Sequence, residues 1–133
     1  MTEQYPMANA EEVAAHVVEV AKVPPVSLGP GIATNIVCGK DLTLSFATIA
    51  PNSAGKMHSH PHEQMIFVLE GEADLVLEGK TYLLKAGDAM LVPSNLEHTG
   101  ITHEKSARFL EVFTPARKDF EEKLAEAKAA RKS

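Results

Sequence analysis

Histidines are concentrated in one short stretch of the chain, where three of the six occupy alternate positions: His58, His60 and His62. Imidazole nitrogen atoms are common ligands of divalent metal ions of the first transition row. Residues two apart on a β-strand project from the same face, so a strand through His58 and His60 would direct both rings at one ion. The spacing therefore predicts part of a metal site, whose other ligands must come from elsewhere.

Two further ligands are available at a greater distance along the chain. Pro61 can turn the backbone before Gln64 enters the next strand, where its amide oxygen would be a third ligand. His98 follows a predicted strand that ends at Pro93, and closure of a barrel would place it opposite the histidine pair. His62 is an alternative to Gln64, although its position in a loop after a proline favours the rim of the site.

The segment between Ile32 and Thr114 must position these residues, and it consists of short apolar runs separated by turn residues. Such spacing is typical of an antiparallel sandwich or barrel. Glycine within Glu70-Gly71-Glu72 and within Glu78-Gly79-Lys80 predicts two tight hairpins. The runs are IATNIVC, LTLSFATIA, MIFVLEG, ADLVLEG, KTYLLKAG, AMLVPS and ARFLEVFT.

Helical patterns flank this β-rich segment. Residues Ala10–Val23 have valines at helical spacing with Asn9 as a candidate N-cap, although HVVEV could instead form an edge strand. The tail after Pro115 is rich in Ala, Glu and Lys and predicts a C-terminal helix. Its apolar stripe consists of Phe120, Leu124 and Ala127. We therefore expect an N-terminal extension (1–28), a barrel domain (29–114) and a C-terminal helix (115–133).

Composition limits the class of protein. A chain of 133 residues with 44% hydrophobic residues is sufficient for one domain, and no apolar run is long enough to cross a bilayer. The net charge of -5 and the scattered basic residues argue against nucleic acid as a partner. No secretory signal is recognisable, so we expect a cytoplasmic protein without a membrane partner. The single cysteine, Cys38, is expected to be buried and without function.

The histidine motifs resemble those of the cupin superfamily. The first cupin motif is matched from Gly55 through His58, His60 and Gln64 to Gly71, with Gln64 where many members carry glutamate. The second motif is matched by Gly87, Pro93, Asn95, His98 and Thr102. Glycine is usual at the position of Asn95 and asparagine at that of Thr102. The resemblance covers residues 55 to 102.

This resemblance implies an all-β fold, a cupin jelly-roll β-barrel of six to eight strands with a short N-terminal element and a C-terminal helix. It also implies one divalent metal ion inside the barrel, held by His58, His60, Gln64 and His98. Iron, manganese, nickel, cobalt and zinc all tolerate this ligand set. A small-molecule substrate and a homodimeric assembly are further expectations from the family.

A narrower resemblance involves the last predicted strand. Glu111, Phe113 and Arg117 match by type the pocket residues of the small pectin degradation cupins, with glutamate in place of the more usual aspartate. Those proteins promote ring opening of 4,5-unsaturated uronates into linear keto sugars. The resemblance implies a catalytic role for all three residues: Arg117 would bind a substrate carboxylate and Glu111 would transfer protons.

Less specific interpretations are also open. Glu111 could be a solvated strand residue, Phe113 a core residue and Arg117 the first residue of the terminal helix. An iron-dependent dioxygenase of small diketone, thiol or phenolic substrates would use the same scaffold. A non-catalytic metabolite-binding module is a third alternative.

Overall fold

A computed structural model describes residues 4–132, in which eight strands form one antiparallel sheet and two α-helices lie outside it. The strands are β1 (Val26–Gly29), β2 (Ile32–Cys38), β3 (Thr43–Ile49), β4 (Glu63–Leu77), β5 (Lys80–Lys85), β6 (Ala89–Val92), β7 (His98–Ile101) and β8 (Ala107–Thr114). The helices are α1 (Ala10–His16) and α2 (Lys118–Lys132), and Val20–Lys22 forms a single 3-10 turn. The prediction of an all-β fold with a C-terminal helix is confirmed.

Strand β4 curls the sheet, because it belongs to both of its halves. The strand order is β1-β2-β3-β8-β4-β5, and β6 and β7 also pair with β4. The first part of β4 lies between β8 and β6, whereas its last part lies between β5 and β7. Fifteen residues in one strand allow it to bend from one half of the sheet into the other.

Apolar side chains from both halves of the sheet meet in one core cluster, as alternation along each strand requires. A second cluster lies under α2, where the predicted stripe is confirmed: Phe120 and Leu124 are buried and Ala127 packs against them. The first cluster consists of Ala47, Ile49, Ile66, Val68, Ala73, Leu75, Leu84, Met90, Val92, Ala107 and Phe109.

Only one of the two predicted glycine hairpins exists. The turn at Glu78-Gly79 joins β4 to β5, and both residues have positive φ, 48° and 78°. The predicted hairpin at Gly71 is wrong, because Gly71 lies within β4. It also has a positive φ of 76°, and a side chain there would collide with the carbonyl oxygen of Ser106. Glycine is required here by the positive φ and by the close approach of the β8 backbone, and not by a turn.

The N-terminal region differs from its prediction. Asn9 caps α1 in a reciprocal arrangement with Glu12, as expected of an N-cap, but the helix ends at His16 and contains no buried residue. The prediction of an amphipathic helix over Ala10–Val23 is therefore wrong beyond His16, where Val17 adopts an extended conformation. Strand β1 was not predicted, and most of it lies in the segment assigned to the N-terminal extension.

Cys38 is exposed, contrary to its predicted burial. It is the last residue of β2, so the neighbouring elements that cover Thr34 and Ile36 no longer cover it. Partial desolvation and the nearby Glu121 carboxylate raise the pKa of its thiol, which disfavours the reactive thiolate. Separately, no helix among the described residues is long and apolar enough to cross a membrane.

Candidate metal centre

Three histidines meet at one end of the curled sheet. His58 forms an isolated bridge with His98, the first residue of β7, through backbone hydrogen bonds of 3.1 and 2.9 Å. The prediction that His58 and His60 lie on a regular strand is wrong, because β4 begins only at Glu63. The bridge still brings both rings close to the ring of His98. The centroid of the His98 ring lies 4.3 Å from that of His58 and 4.9 Å from that of His60.

Backbone carbonyl groups fix the orientation of all three imidazoles. Each Nδ1 atom lies 2.7 to 3.0 Å from a carbonyl oxygen close by in sequence. A carbonyl oxygen only accepts, so Nδ1 carries the hydrogen and the lone pair of the neutral ring is on Nε2. The acceptors are the carbonyl oxygens of Lys56, His62 and Leu96. This arrangement is the usual way of orienting histidine ligands of a metal.

The three rings offer ligand atoms that all lie within 4.8 Å of one another, so one ion can contact all of them. His60 and His98 are buried, whereas His58 is exposed at the mouth of the site. Burial lowers the pKa of both His60 and His98, which favours the neutral, metal-binding form of each ring. The triad is therefore positioned for a divalent metal ion.

Gln64 is also at the centre of this group. Its buried Oε1 atom lies 3.0 Å from Nε2 of His60 and 3.0 Å from Nε2 of His98. With both rings neutral, these contacts bring lone pairs together without a hydrogen between them, an arrangement that a cation would stabilise. Two ligand atoms bound at right angles to one ion, each at about 2.1 Å, lie about 3.0 Å apart. The donor set thus fits a metal of the first transition row.

His62, the alternative to Gln64, does not join this group of ligand atoms. Its ring centroid is 5.5 Å from that of His60, and its buried Nδ1 atom has no hydrogen-bond partner among residues 4–132. Its backbone carbonyl instead holds the ring of His60. His62 consequently supports the site through its main chain.

A buried chain of hydrogen bonds continues from Gln64 into the sheet. Gln64 Nε2 donates to Oε2 of Glu111 at 2.9 Å, and Ser45 Oγ donates to Oε1 of Glu111 at 3.1 Å. Ser45 is in turn bonded to Thr34 at 2.6 Å between the two hydroxyl oxygens. Glu111 is therefore not a solvated strand residue, since both of its carboxylate oxygens accept hydrogen bonds inside the protein.

The environment of Glu111 raises the pKa of its carboxyl group into the neutral range. The residue as a whole is half-buried because it borders a cavity, but its carboxyl group is enclosed by protein. This burial raises the pKa of Glu111 from 4.5 to about 7. The hydrogen bond from Ser45, the charge of Arg117 and the hydrogen bond from Gln64 each lower the pKa, and burial outweighs them.

Arg117 is held rigidly beside this carboxyl group. Its guanidinium lies 3.8 Å from the ring centroid of Phe120 and 4.8 Å from that of Phe113. Asp119 accepts two hydrogen bonds from it, 3.2 Å from Nε and 2.7 Å from Nη2. The Arg117 side chain is 12% exposed, so it is a wall residue and not a free surface arginine.

Phe113 connects the arginine to the histidines. It is 2% exposed, and its ring packs edge-on against His60 at 5.6 Å and against Phe120 at 5.5 Å. The structure thus brings together all seven residues that the sequence analysis singled out. They are His58, His60, Gln64, His98, Glu111, Phe113 and Arg117.

Six of these seven residues, all except His60, line one cavity of about 320 Å³. Apolar residues from the sheet form much of its wall, and Lys56 and Lys123 add positive charge to that of Arg117. A small pocket that combines imidazole nitrogens, the carboxyl groups of Glu111 and Asp119, and three basic side chains suits an anionic small molecule. The apolar wall includes Leu28, Ile32, Ile49, Leu75 and Phe109.

Sequence reasoning gave no role to Ser45 or Asp119. Asp119 had a local signal, since an acidic residue two positions after Arg117 can reach its guanidinium. Ser45 had none, because its contact with Glu111 depends on the pairing of β3 with β8.

The two departures from the second cupin motif have structural explanations. Asn95 has a positive φ of 67°, a conformation that suits glycine and that asparagine tolerates better than most residues. Thr102 is 2% exposed, donates to the carbonyl of Ala50 at 2.6 Å and accepts from the amide of Ser53 at 3.0 Å. Neither residue belongs to the metal-ligating group.

Comparisons with known proteins show the family to which this chain belongs. The family model described as "Cupin domain" matches residues 45–113. The pectin degradation protein KdgF of Dickeya dadantii (strain 3937) is 33% identical over 95 residues, which cover 70% of this chain and 86% of that protein.

Two solved structures extend the comparison to the fold. An RmlC-like cupin from Shewanella frigidimarina NCIMB 400 superposes with a TM-score of 0.73 at 25% identity, covering 79% of this chain and 95% of that one. KdgF from Halomonas sp. gives a TM-score of 0.68 at 28% identity, covering 72% and 89% of the two chains. The chain belongs to the cupin family, and it resembles KdgF in both sequence and structure.

Proposed function

We propose that this protein is a metal-dependent enzyme that opens the ring of a 4,5-unsaturated uronate to give a linear keto sugar. The observation that carries the proposal is the position of Arg117, held at the wall of the cavity that His58 and His98 also border. A fixed guanidinium beside a metal site is suited to a substrate that carries a carboxylate. The similarity to KdgF, a pectin degradation protein, supports the same substrate class.

In this proposal one divalent ion is held by Nε2 of His58, His60 and His98 together with Oε1 of Gln64. Iron, manganese, nickel, cobalt or zinc would satisfy three imidazoles and one neutral amide. The bound ion would supply Lewis-acid polarisation of a substrate oxygen.

Arg117 is proposed to bind the substrate carboxylate. Asp119 already occupies the edge of the guanidinium formed by Nε and Nη2. Nη1 has no hydrogen-bond partner among the described residues, and this end remains available to a ligand. Asp119 therefore orients the group, and the substrate uses the opposite edge.

Glu111 is proposed to transfer protons in the ring opening. In the closed substrate, C1 carries a hemiacetal hydroxyl and C4=C5 is an enol ether of the ring oxygen. Loss of the hydroxyl proton forms the C1 carbonyl and breaks the bond between C1 and the ring oxygen. Protonation of C4 then leaves that oxygen as the C5 ketone, so the reaction is an isomerisation. One proton leaves and one is added, which a single carboxyl group bordering the cavity can mediate.

The test is the disappearance of an unsaturated uronate followed by NMR, with metal-loaded and metal-stripped protein. We expect faster loss with the loaded wild type, and at least a tenfold lower rate for His60→Ala and for Arg117→Ala. Arg108→Ala is the matched control, because Arg108 lies on β8, the strand that precedes Arg117, but its side chain is 45% exposed and pairs with Glu70. Equal rates for wild type, His60→Ala and Arg117→Ala would contradict the proposal.

Two other outcomes would redirect the assignment to a different class. Oxygen uptake by iron-loaded protein with a diketone, thiol or phenolic substrate, and no uronate turnover, would identify a dioxygenase. Binding of the uronate without any turnover would identify a metabolite-binding module.

We also infer that the protein forms a homodimer through the outer face of the sheet. Strands β2, β3, β8, β4 and β6 lie side by side, and residues paired across them form rows that run over the sheet. Two neighbouring rows of this kind, with one residue from each strand, point outward. Nine of the ten positions are apolar, and the tenth is Asn35. The first row consists of Val37, Leu44, Val112, Met65 and Leu91. The second row consists of Asn35, Phe46, Leu110, Phe67 and Ala89.

The occupant that best suits this face is a second copy of the chain. Met65, Phe67 and Leu91 are 48%, 40% and 62% exposed, and the ion pair of Arg108 with Glu70 lies beside the apolar rows. Four inter-strand spacings of about 4.8 Å make the patch roughly 19 Å wide, comparable with the apolar centre of a standard interface. A flat patch of this kind can pair with itself about a twofold axis.

The oligomeric state can be measured by size-exclusion chromatography with light scattering. We expect a dimer for wild type and a monomer for Leu91→Asp. Leu83→Asp is the matched control, because Leu83 is 55% exposed on β5, outside the patch, and this variant should remain dimeric. A monomeric wild type would contradict the inference.

A further inference from the structure

The amide of Gln64 faces two different environments, and its orientation decides which atom reaches the metal site. The oxygen end points at Nε2 of His60 and of His98, whereas the nitrogen end points at Glu111. The two ends of an amide are almost equal in shape, so packing alone does not distinguish them. Rotation by half a turn would present N–H groups to the ion in place of a ligand oxygen.

Hydrogen bonding to Glu111 selects the orientation. A carboxylate only accepts, so it binds the amide NH₂ at 2.9 Å and leaves the amide oxygen directed at the imidazoles. Glu111 is itself held by Ser45, whose hydroxyl is fully buried and bonded to Thr34. The chain of four side chains thus connects β2, β3, β8 and β4 to one ligand atom.

We propose that Glu111 is a positioning residue that fixes the Gln64 amide with its oxygen toward the metal, so that metal affinity depends on Glu111. The inference rests on the metal site proposed above. It adds a second task to the carboxyl group, one that precedes substrate binding and can be measured without turnover. Partners of metal ligands commonly contribute a factor of about 10 to 100 in metal affinity.

Two substitutions separate the positioning task from proton transfer. In Glu111→Gln, the new side-chain oxygen can still accept from Gln64 and the new NH₂ can donate to Ser45. This variant therefore keeps the orientation of the amide but removes the ionisable group. Glu111→Leu has a similar size and offers no acceptor, so the amide of Gln64 is free to rotate.

The experiment is a titration of metal-free protein with Co²⁺, followed by calorimetry and by the visible absorption of the bound ion. We expect Glu111→Gln to bind Co²⁺ within about threefold of wild type and Glu111→Leu to bind at least about tenfold more weakly. Glu63→Leu is the matched control, because Glu63 is exposed and adjacent to Gln64 in sequence, and it should bind as wild type does. Equal affinity of Glu111→Leu and wild type would overturn the inference.

Thermal melting followed by circular dichroism establishes that each variant is folded. If Glu111→Leu does not fold, Ser45→Ala replaces it, because this variant removes the hydrogen bond to one oxygen of Glu111. We expect Ser45→Ala to bind Co²⁺ at least about threefold more weakly than wild type. Unchanged binding would overturn the inference. A wild type that binds no divalent metal would overturn the proposed function itself. A wild type that binds Co²⁺ as tightly as Glu111→Leu would overturn only the role of Glu111.

Discussion

Replacing Phe120 by alanine tests how much the packing of α2 against the end of the sheet stabilises the fold. Phe120 is 4% exposed, and its ring packs edge-on against that of Phe113 with 5.5 Å between the centroids. The guanidinium of Arg117 stacks on the Phe120 ring, 3.8 Å from its centroid. Truncation of a buried phenylalanine lowers the free energy of unfolding by about 3 to 5 kcal/mol, which combines lost transfer energy with the cavity left behind. The end of the sheet can relax around α2, so we expect the lower value, about 3 kcal/mol.

The assay is urea denaturation of metal-free protein followed by circular dichroism. With a denaturant slope of about 1.5 to 3 kcal/mol per molar, the expected loss moves the midpoint down by roughly 1 to 2 M. Val13→Ala is the control, since Val13 is 42% exposed and its truncation should change the free energy of unfolding by less than about 0.5 kcal/mol. Co²⁺ affinity of Phe120→Ala should remain within threefold of wild type, because Phe120 touches none of the metal-ligating rings. A loss of stability below about 1 kcal/mol would refute the reasoning.

Three further predictions concern the backbone, the histidines and the arginine. Gly71→Ala should lower the free energy of unfolding by at least about 2 kcal/mol, because φ is positive at this position and the added carbon meets the Ser106 carbonyl. Urea denaturation measures this loss, and an unchanged midpoint would contradict the prediction. Burial lowers the pKa of His60 and His98, so protons should compete for Nε2 of these two rings only below about pH 6.5. Co²⁺ affinity measured by calorimetry should therefore decrease as the pH falls through this range, and affinity that rises on acidification would contradict this. Asp119→Ala removes the acceptor that orients the guanidinium of Arg117, so it should raise the KM for an unsaturated uronate more than it lowers kcat. The reverse pattern in steady-state kinetics would count against a positioning role for Asp119.

The parts of the site that follow from local spacing could be predicted from sequence. His58 and His60 lie two residues apart, and an extended backbone is enough to direct both rings the same way, even without a regular strand. The terminal helix was predictable for a similar reason, because Phe120 and Leu124 recur at helical spacing. Both signals are contained in a few consecutive residues.

Features that depend on pairing between distant strands could not be predicted in this way. Glycine at position 71 indicated a positive φ correctly, but a hairpin and a close approach between strands can each need a glycine, and only the contact with β8 distinguishes them. The hydrogen bonds of Glu111 to Gln64 and Ser45 join residues 47 and 66 positions apart in the chain. The exposed Val13 of α1 shows the opposite failure, since α1 buries no residue against the rest of the described chain.

We expect the histidine triad to bind one divalent metal ion. The most direct measurement is the metal content of purified protein by mass spectrometry after loading with Co²⁺ and removal of free ion. We expect one ion per chain for wild type and less than about a tenth of that for the double variant His60→Ala with His98→Ala. Wild type without stoichiometric metal, or a double variant that still retains one ion per chain, would contradict it.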